Sequence, residues 1–194
     1  MATAIAVRRR PGVSGLIEDL NTRYHKIGLR VFMVIVFAHL AEHIVQAFQI
    51  WVLGWARPDS KGVFGVMFPW LIESEALHYG YAIIMLVGLL LFRPGMAGKA
   101  RVWWNVALGI QFWHHIEHLL LIIQAQTGAF FWGRPVPTSV AQLFIMRVEL
   151  HLLYNTLVLI PMIFAMIEHV WPSDADRSKV SCDCARPSRM AHQH

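Results

Sequence analysis

Two short stretches concentrate ionisable side chains in otherwise apolar surroundings: HLAEH at 39–43 and HHIEH at 114–118. On an α-helix, positions i, i+3 and i+4 fall within about 100° of one another, so His39, Glu42 and His43 share a face. His114, Glu117 and His118 repeat that spacing. Imidazoles and carboxylates together are transition-metal donors, suiting iron, zinc, manganese or copper better than calcium or magnesium. They are also proton carriers. In hydrocarbon such groups are expensive, a charged carboxylate at the bilayer centre costing roughly 2.5–3.5 kcal/mol on insertion scales. A chain that keeps His114, His115, Glu117 and His118 inside FWHHIEHLLLII must turn them toward a partner or an ion.

The elements that carry these residues read as membrane helices. Of 194 residues, 56% are hydrophobic and only 15% charged, against about a quarter charged in soluble domains. Between Arg30 and Arg57 the one charged residue is Glu42, and between Arg101 and Arg134 it is Glu117. Ala76–Phe92 and Leu150–Ile167 carry no Asp, Glu, Lys or Arg. A spanning helix needs roughly 20 mainly apolar residues, so four transmembrane helices are predicted at 29–55, 69–92, 102–128 and 139–169. The fold class is therefore an all-α, multi-pass four-helix bundle occupying 29–171.

Residues 1–28 form an N-terminal segment in which Leu16, Ile17, Leu20, Tyr24 and Ile27 mark one face of a short interfacial helix. Residues 172–194 are polar and read as a disordered tail. Most Lys and Arg residues lie before span one, between spans two and three, and in the tail. The positive-inside rule then puts both termini in the cytoplasm. The net charge of +5 reflects topology and contact with anionic headgroups, with no call for nucleic acid. MATAIAVRRRPG has no apolar core after its arginines, so a cleaved signal peptide is not expected.

The chain also reads as an internal repeat. His39, Glu42, His43 and Gln49 align with His114, Glu117, His118 and Gln124 at an offset of 75, and His78 and Tyr81 align with His151 and Tyr154 at 73. Each half is H-x-x-E-H, a loop, then H-x-x-Y, giving repeats at about 29–92 and 102–169. Because each has an even number of spans, the halves run parallel about a two-fold axis along the membrane normal.

Counted from the outer ends at 1.5 Å per residue, His43, His78, His118 and His151 lie about 13–20 Å deep and can form one layer. The expected donor sets are His39, Glu42, His43, His78 and His114, Glu117, His118, His151, each able to hold one ion, with the glutamates bridging. Bundle cores build di-metal centres from Glu and His at helical spacing in this way. Two transition-metal ions are expected, iron foremost, with zinc, copper or manganese as alternatives. Tyr81, Tyr154, His115, Gln46 and Gln111 would orient ligands or carry an electron. Arg147, too deep for a loop arginine, needs an anion, and Glu75 is at a comparable depth.

The expected function is redox chemistry on oxygen or on a lipophilic substrate, drawing on an electron donor or a larger membrane complex. In site chemistry the donor set resembles that of the histidine-rich, membrane-embedded di-iron hydroxylases and desaturases. HHIEH and HLAEH are not their motifs and this chain is shorter, so the resemblance is one of chemistry alone. Three alternatives share the same residues. H-x-x-E-H is also the inverted zinc-protease motif, although a protease would not need it twice. Facing histidines could ligate b-type haem; no C-x-x-C-H attachment motif is present. A metal or proton transporter also places ionisable groups at mid-membrane. In the tail, Cys182, Cys184, His192 and His194 are candidate soft-metal ligands.

Overall fold

The structure is a computed structural model describing residues 12–70, 74–182 and 184. The basic residues at 8–10 and the His192/His194 pair lie outside the described residues. Those described form helices and connecting loops without a strand: α1 (Val13–Asn21), α2 (His25–Trp51), α3 (Gly62–Met67), α4 (Glu75–Phe92), α5 (Gly98–Thr127), α6 (Arg147–Val170) and α7 (Asp174–Arg177). Among them α2, α4 with the 3₁₀ turn that follows, α5 and α6 are long and apolar enough to cross a membrane.

The helices form a ring in which α5 packs against both α4 and α6, and α6 against α2; the α2–α4 seam is the thinnest. Much of the outward surface is apolar: Val34, Ile84, Phe112, Trp113, Leu157 and Phe164 are all exposed. This suits a lipid solvent, in which burial is not what distinguishes core from surface. One half of the core is built on Trp104, fully enclosed among Leu29, Leu89, Met96 and Met162. Its indole N–H donates to the Leu89 carbonyl at 2.7 Å, satisfying the polar edge of a large buried ring.

Span one runs His25–Trp51, about four residues earlier than the sequence reading, and span three starts at Gly98 instead of 102; two starts differ by more. Span two starts at Glu75 instead of 69, because Ser74 caps it: its hydroxyl accepts from the Leu77 amide at 3.4 Å. Span four starts at Arg147 instead of 139, because residues 139–146 fold as a loop with a 3₁₀ turn at Ala141–Leu143. That loop has its backbone bonded to bundle side chains, so apolar composition there serves packing and not helix length.

At the other end, Asn21 ties α1 to the α4–α5 connection. Its amide donates to the Leu91 carbonyl and its oxygen accepts from Gly95 N–H, both at 2.8 Å. The tail, expected to be disordered from 172, carries the α7 turn. Asp176 accepts from Lys179 Nζ at 2.8 Å and from the Lys99 amide at 3.4 Å. These contacts, the Lys179 bond foremost, hold its carboxyl below the ordinary carboxylate range.

Candidate metal centre

The layer of histidines is built by helical periodicity on α2 and α5 and by single residues near the starts of α4 and α6. His43, His114, His118 and His151 are all buried. Ligand nitrogens of His114, His118 and His151 lie within 4.8 Å of one another. The other three rings adjoin them. His43 and His151 have ring centroids 5.4 Å apart, and His78 stacks parallel to His118 at 6.4 Å.

The orientation of individual nitrogens is more telling than proximity. His151 Nδ1 lies 2.7 Å from the Arg147 carbonyl, and His78 Nδ1 lies 3.1 Å from the Ser74 carbonyl. A carbonyl accepts only, so each Nδ1 carries the proton and each neutral Nε2 presents a lone pair to the interior. His43 Nδ1 is held in the same manner by Gln46 Oε1 at 2.8 Å. Metal-ligating histidines are oriented by this kind of contact from the ring nitrogen that does not bind.

The Nε2 atoms then face one another. His43 and His39 approach at 3.0 Å, His118 and His151 at 3.2 Å. Four nitrogens at 2.0–2.1 Å around one ion stand about 3.3–3.4 Å apart, so both pairs are near that spacing. The Nδ1 atoms of His114 and His118 are buried without a hydrogen-bond partner. Among the rings is a gap of about 10 Å³, lined also by Gln111 and Asn155, which is room for one ion or one water.

Glu42 and Glu117 have different neighbours from those expected of bridging ligands. Glu42 turns outward to the start of α3, where its carboxylate accepts from the amides of Val63 at 3.1 Å, Phe64 at 2.8 Å and Gly65 at 3.2 Å. Glu117 Oε1 accepts from the Ala141 amide at 2.8 Å. The physical reason is competition. Each loop folds back over the bundle with free N–H groups, and a carboxylate satisfies them at short range. Gln49 and Gln124 act alongside. Gln49 accepts from Gly62 N–H at 2.8 Å, and Gln124 donates to the Thr138 carbonyl at 2.8 Å while accepting from its amide at 3.2 Å.

Tyr81 stacks on His39 with centroids 3.5 Å apart, and its hydroxyl donates to the Ile35 carbonyl. Tyr154 lies 4.5 Å from the His114 ring and accepts from the Trp113 indole at 2.9 Å. Gln111 donates to the Ala82 carbonyl at 3.2 Å. His115 points away from the cluster and stacks on Tyr79. Arg147 forms a two-pronged ion pair with Glu75, one arm at 2.7 Å, and Arg57 pairs with Glu149. Asn155 was not singled out in the sequence; it falls one turn beyond His151 on α6, and that i+4 spacing was the available signal.

Beside the histidines, the α2–α4 seam opens into a cleft of about 500 Å³ lined by His39, His43, His78, Tyr81 and apolar residues including Ile35 and Ile84. No protein-family model, curated protein or solved structure matches this chain. Membrane-spanning helices and histidines grouped to hold a metal ion are the functional features that stand on the structure.

Proposed function

We propose that this chain is an integral membrane metalloprotein whose six intramembrane histidines hold two redox-active transition-metal ions acting on oxygen or a lipophilic substrate. His114, His118 and His151, whose ligand nitrogens lie within 4.8 Å of one another, would hold one ion in the gap. His39, His43 and His78 are more widely spaced and would close around the second from the α2–α4 cleft that they line. The observation that carries the reading is the convergence of Nε2 atoms whose rings are fixed through Nδ1 by oxygen acceptors. With Nδ1 protonated, Nε2 of His43 and of His151 is an acceptor. It takes an N–H from Nε2 of His39 or His118 in the metal-free protein, and an ion would replace that proton and meet both nitrogens.

Glu42 is engaged by its loop, whereas Glu117 is held through Oε1 alone and its Oε2 is buried without a partner. The donor set is therefore neutral imidazole, with Glu117 Oε2 as the one carboxylate oxygen still to be satisfied, which suits iron and copper. The metal would supply electron transfer and activation of oxygen. The protein's own groups hold the ring tautomers, keep water out of the layer and place Tyr81 and Tyr154 against His39 and His114. The cleft between α2 and α4 meets His39 and His43 from the lipid-facing side, so a substrate dissolved in the bilayer, such as an acyl chain, terpenoid or quinone, reaches the centre without crossing water. The gap among the rings takes an ion and not a porphyrin; a haem would have to occupy the α2–α4 cleft, which His39, His43 and His78 line, and the optical spectrum separates the two. The recurrence of the Nδ1–carbonyl and glutamate–loop contacts in both halves supports an internal two-fold repeat, and the charge distribution supports cytoplasmic termini.

Elemental analysis of the purified protein with an optical spectrum tests the proposal. About two iron or copper ions per chain are expected, with absorption that changes on reduction and on re-exposure to oxygen. A Soret band would replace it with haem. Weakly held metal that moves across vesicle membranes would replace it with transport.

A further inference from the structure

At the opposite end of the bundle, His25, His169, Cys182 and Cys184 bring one ligand atom each to within 4.8 Å of the others. We propose that they form a second, separate metal site, a His2Cys2 zinc centre that fastens the tail to the bundle. The four residues come from the first turn of α2, the last turn of α6 and the segment after α7, so the fold assembles them from three places.

The two histidines are not ordinary interfacial residues. His25 is 0% exposed and His169 1% exposed. Both ring nitrogens of His25 and Nδ1 of His169 have no hydrogen-bond partner. Buried polar atoms are nearly always satisfied, and three orphans in one pocket indicate a missing partner. The rings meet edge to face with centroids 5.0 Å apart. Cys182 Sγ already lies 3.3 Å from His169 Nε2.

The backbone is shaped to admit His25. A Cβ on Gly95 would lie 2.3 Å from its ring, and the Gly95 amide is held by Asn21 at 2.8 Å. Two nitrogens at 2.0–2.1 Å and two sulfurs at about 2.3 Å around tetrahedral zinc stand roughly 3.3–3.8 Å apart. Cys182 Sγ and His169 Nε2 are already at that spacing, and the other pairs, all within 4.8 Å, need to close by roughly 1–1.5 Å at most. Two thiolates and two imidazoles with no open position make a closed site, which is the structural and not the catalytic pattern. Along α6 the step from His169 to His151 is about 27 Å at 1.5 Å per residue, too far for direct exchange of ligands with the intramembrane centre.

Thiolate separates the two sites in experiment, because the chain's two cysteines are Cys182 and Cys184 and the sulfur lining the histidine gap is the Met85 thioether. Full-length protein, purified in detergent under reducing conditions and stripped of metal, is titrated with cobalt(II). A near-ultraviolet thiolate-to-cobalt absorption saturating at about one equivalent per chain is expected, with X-ray absorption of the zinc form giving two sulfurs at about 2.3 Å and two nitrogens at 2.0–2.1 Å. Cys182→Ser, which alters only the tail, should abolish the band and leave histidine-bound cobalt in place. His25→Ala and His169→Ala should weaken the sulfur-bound cobalt by more than the roughly 100-fold that loss of a mere orienting partner can cost. No thiolate band, or a band of unchanged affinity in both histidine variants, overturns the proposal. So does an all-sulfur shell in X-ray absorption.

Discussion

Nε2 of His151 faces Nε2 of His118 at 3.2 Å while the Nδ1 of His151 is bound to the Arg147 carbonyl at 2.7 Å. The second contact fixes the His151 tautomer, so in the first its Nε2 is an acceptor with a lone pair open to a proton or, on the proposed function, to an ion. His118→Ala and His151→Ala should therefore each empty the ion shared by that pair, and His43→Ala should empty the other. Metal content by elemental analysis checks this; full occupancy in His43→Ala with loss in His118→Ala would show a single centre in the second half alone.

Glu42 serves the loop at α3, so Glu42→Gln should leave metal content unchanged and lower thermal stability by about 1 kcal/mol, the cost of weakening charge-assisted hydrogen bonds that are exposed or part-buried. Gly62→Ala should do the same damage from the other side. Gly62 has a φ of +73°, and a Cβ there would come 2.3 Å from Glu42 Oε1. Loss of metal in Glu42→Gln would return the glutamate to the ligand set.

The cleft gives a test of substrate access. Gly80 lines it, and a Cβ there meets nothing within 4 Å. Gly80→Leu should fill the entrance while preserving the fold and both metal ions. Photo-crosslinking to a hydrophobic quinone or acyl probe should fall severalfold in Gly80→Leu; equal labelling would place the entry elsewhere.

Arg147 and Glu75 close one mouth of the bundle, with the Glu75 side chain 14% and the Arg147 side chain 38% exposed. Glu75→Gln leaves a guanidinium without its anion and should cost about 1–3 kcal/mol, discounted for the exposure of the arginine. Replacing both partners, Glu75→Leu with Arg147→Met, should recover most of that loss in a thermal melt. A double variant as unstable as the single one would mean that Arg147 has a second essential partner.

The sequence by itself determined the class of the molecule, four helices long and apolar enough to cross a membrane, and the set of polar residues that those helices carry. Both follow from local rules: apolar length sets a span, and a 3.6-residue period puts His39, Glu42 and His43 on one side. The i+4 relations that orient His151 and His78 were equally local, since the acceptor is the carbonyl one turn back. Tertiary structure alone decided where the glutamates point. A carboxylate has enough reach to turn toward either the axis or a loop, and the loops' backbone donors settle it through contacts such as Glu42 with Phe64, far apart in the chain. It also decided that span four begins at Arg147, because Thr138 is bonded across to Gln124 and Ala141 to Glu117 before the helix can start. Most of all it decided the partners of Cys182 and Cys184. His25 and His169 stand at opposite ends of the spanning sequence, and no periodicity links them to a tail. They meet because α2 and α6 pack side by side and the chain after α7 folds back onto their shared end.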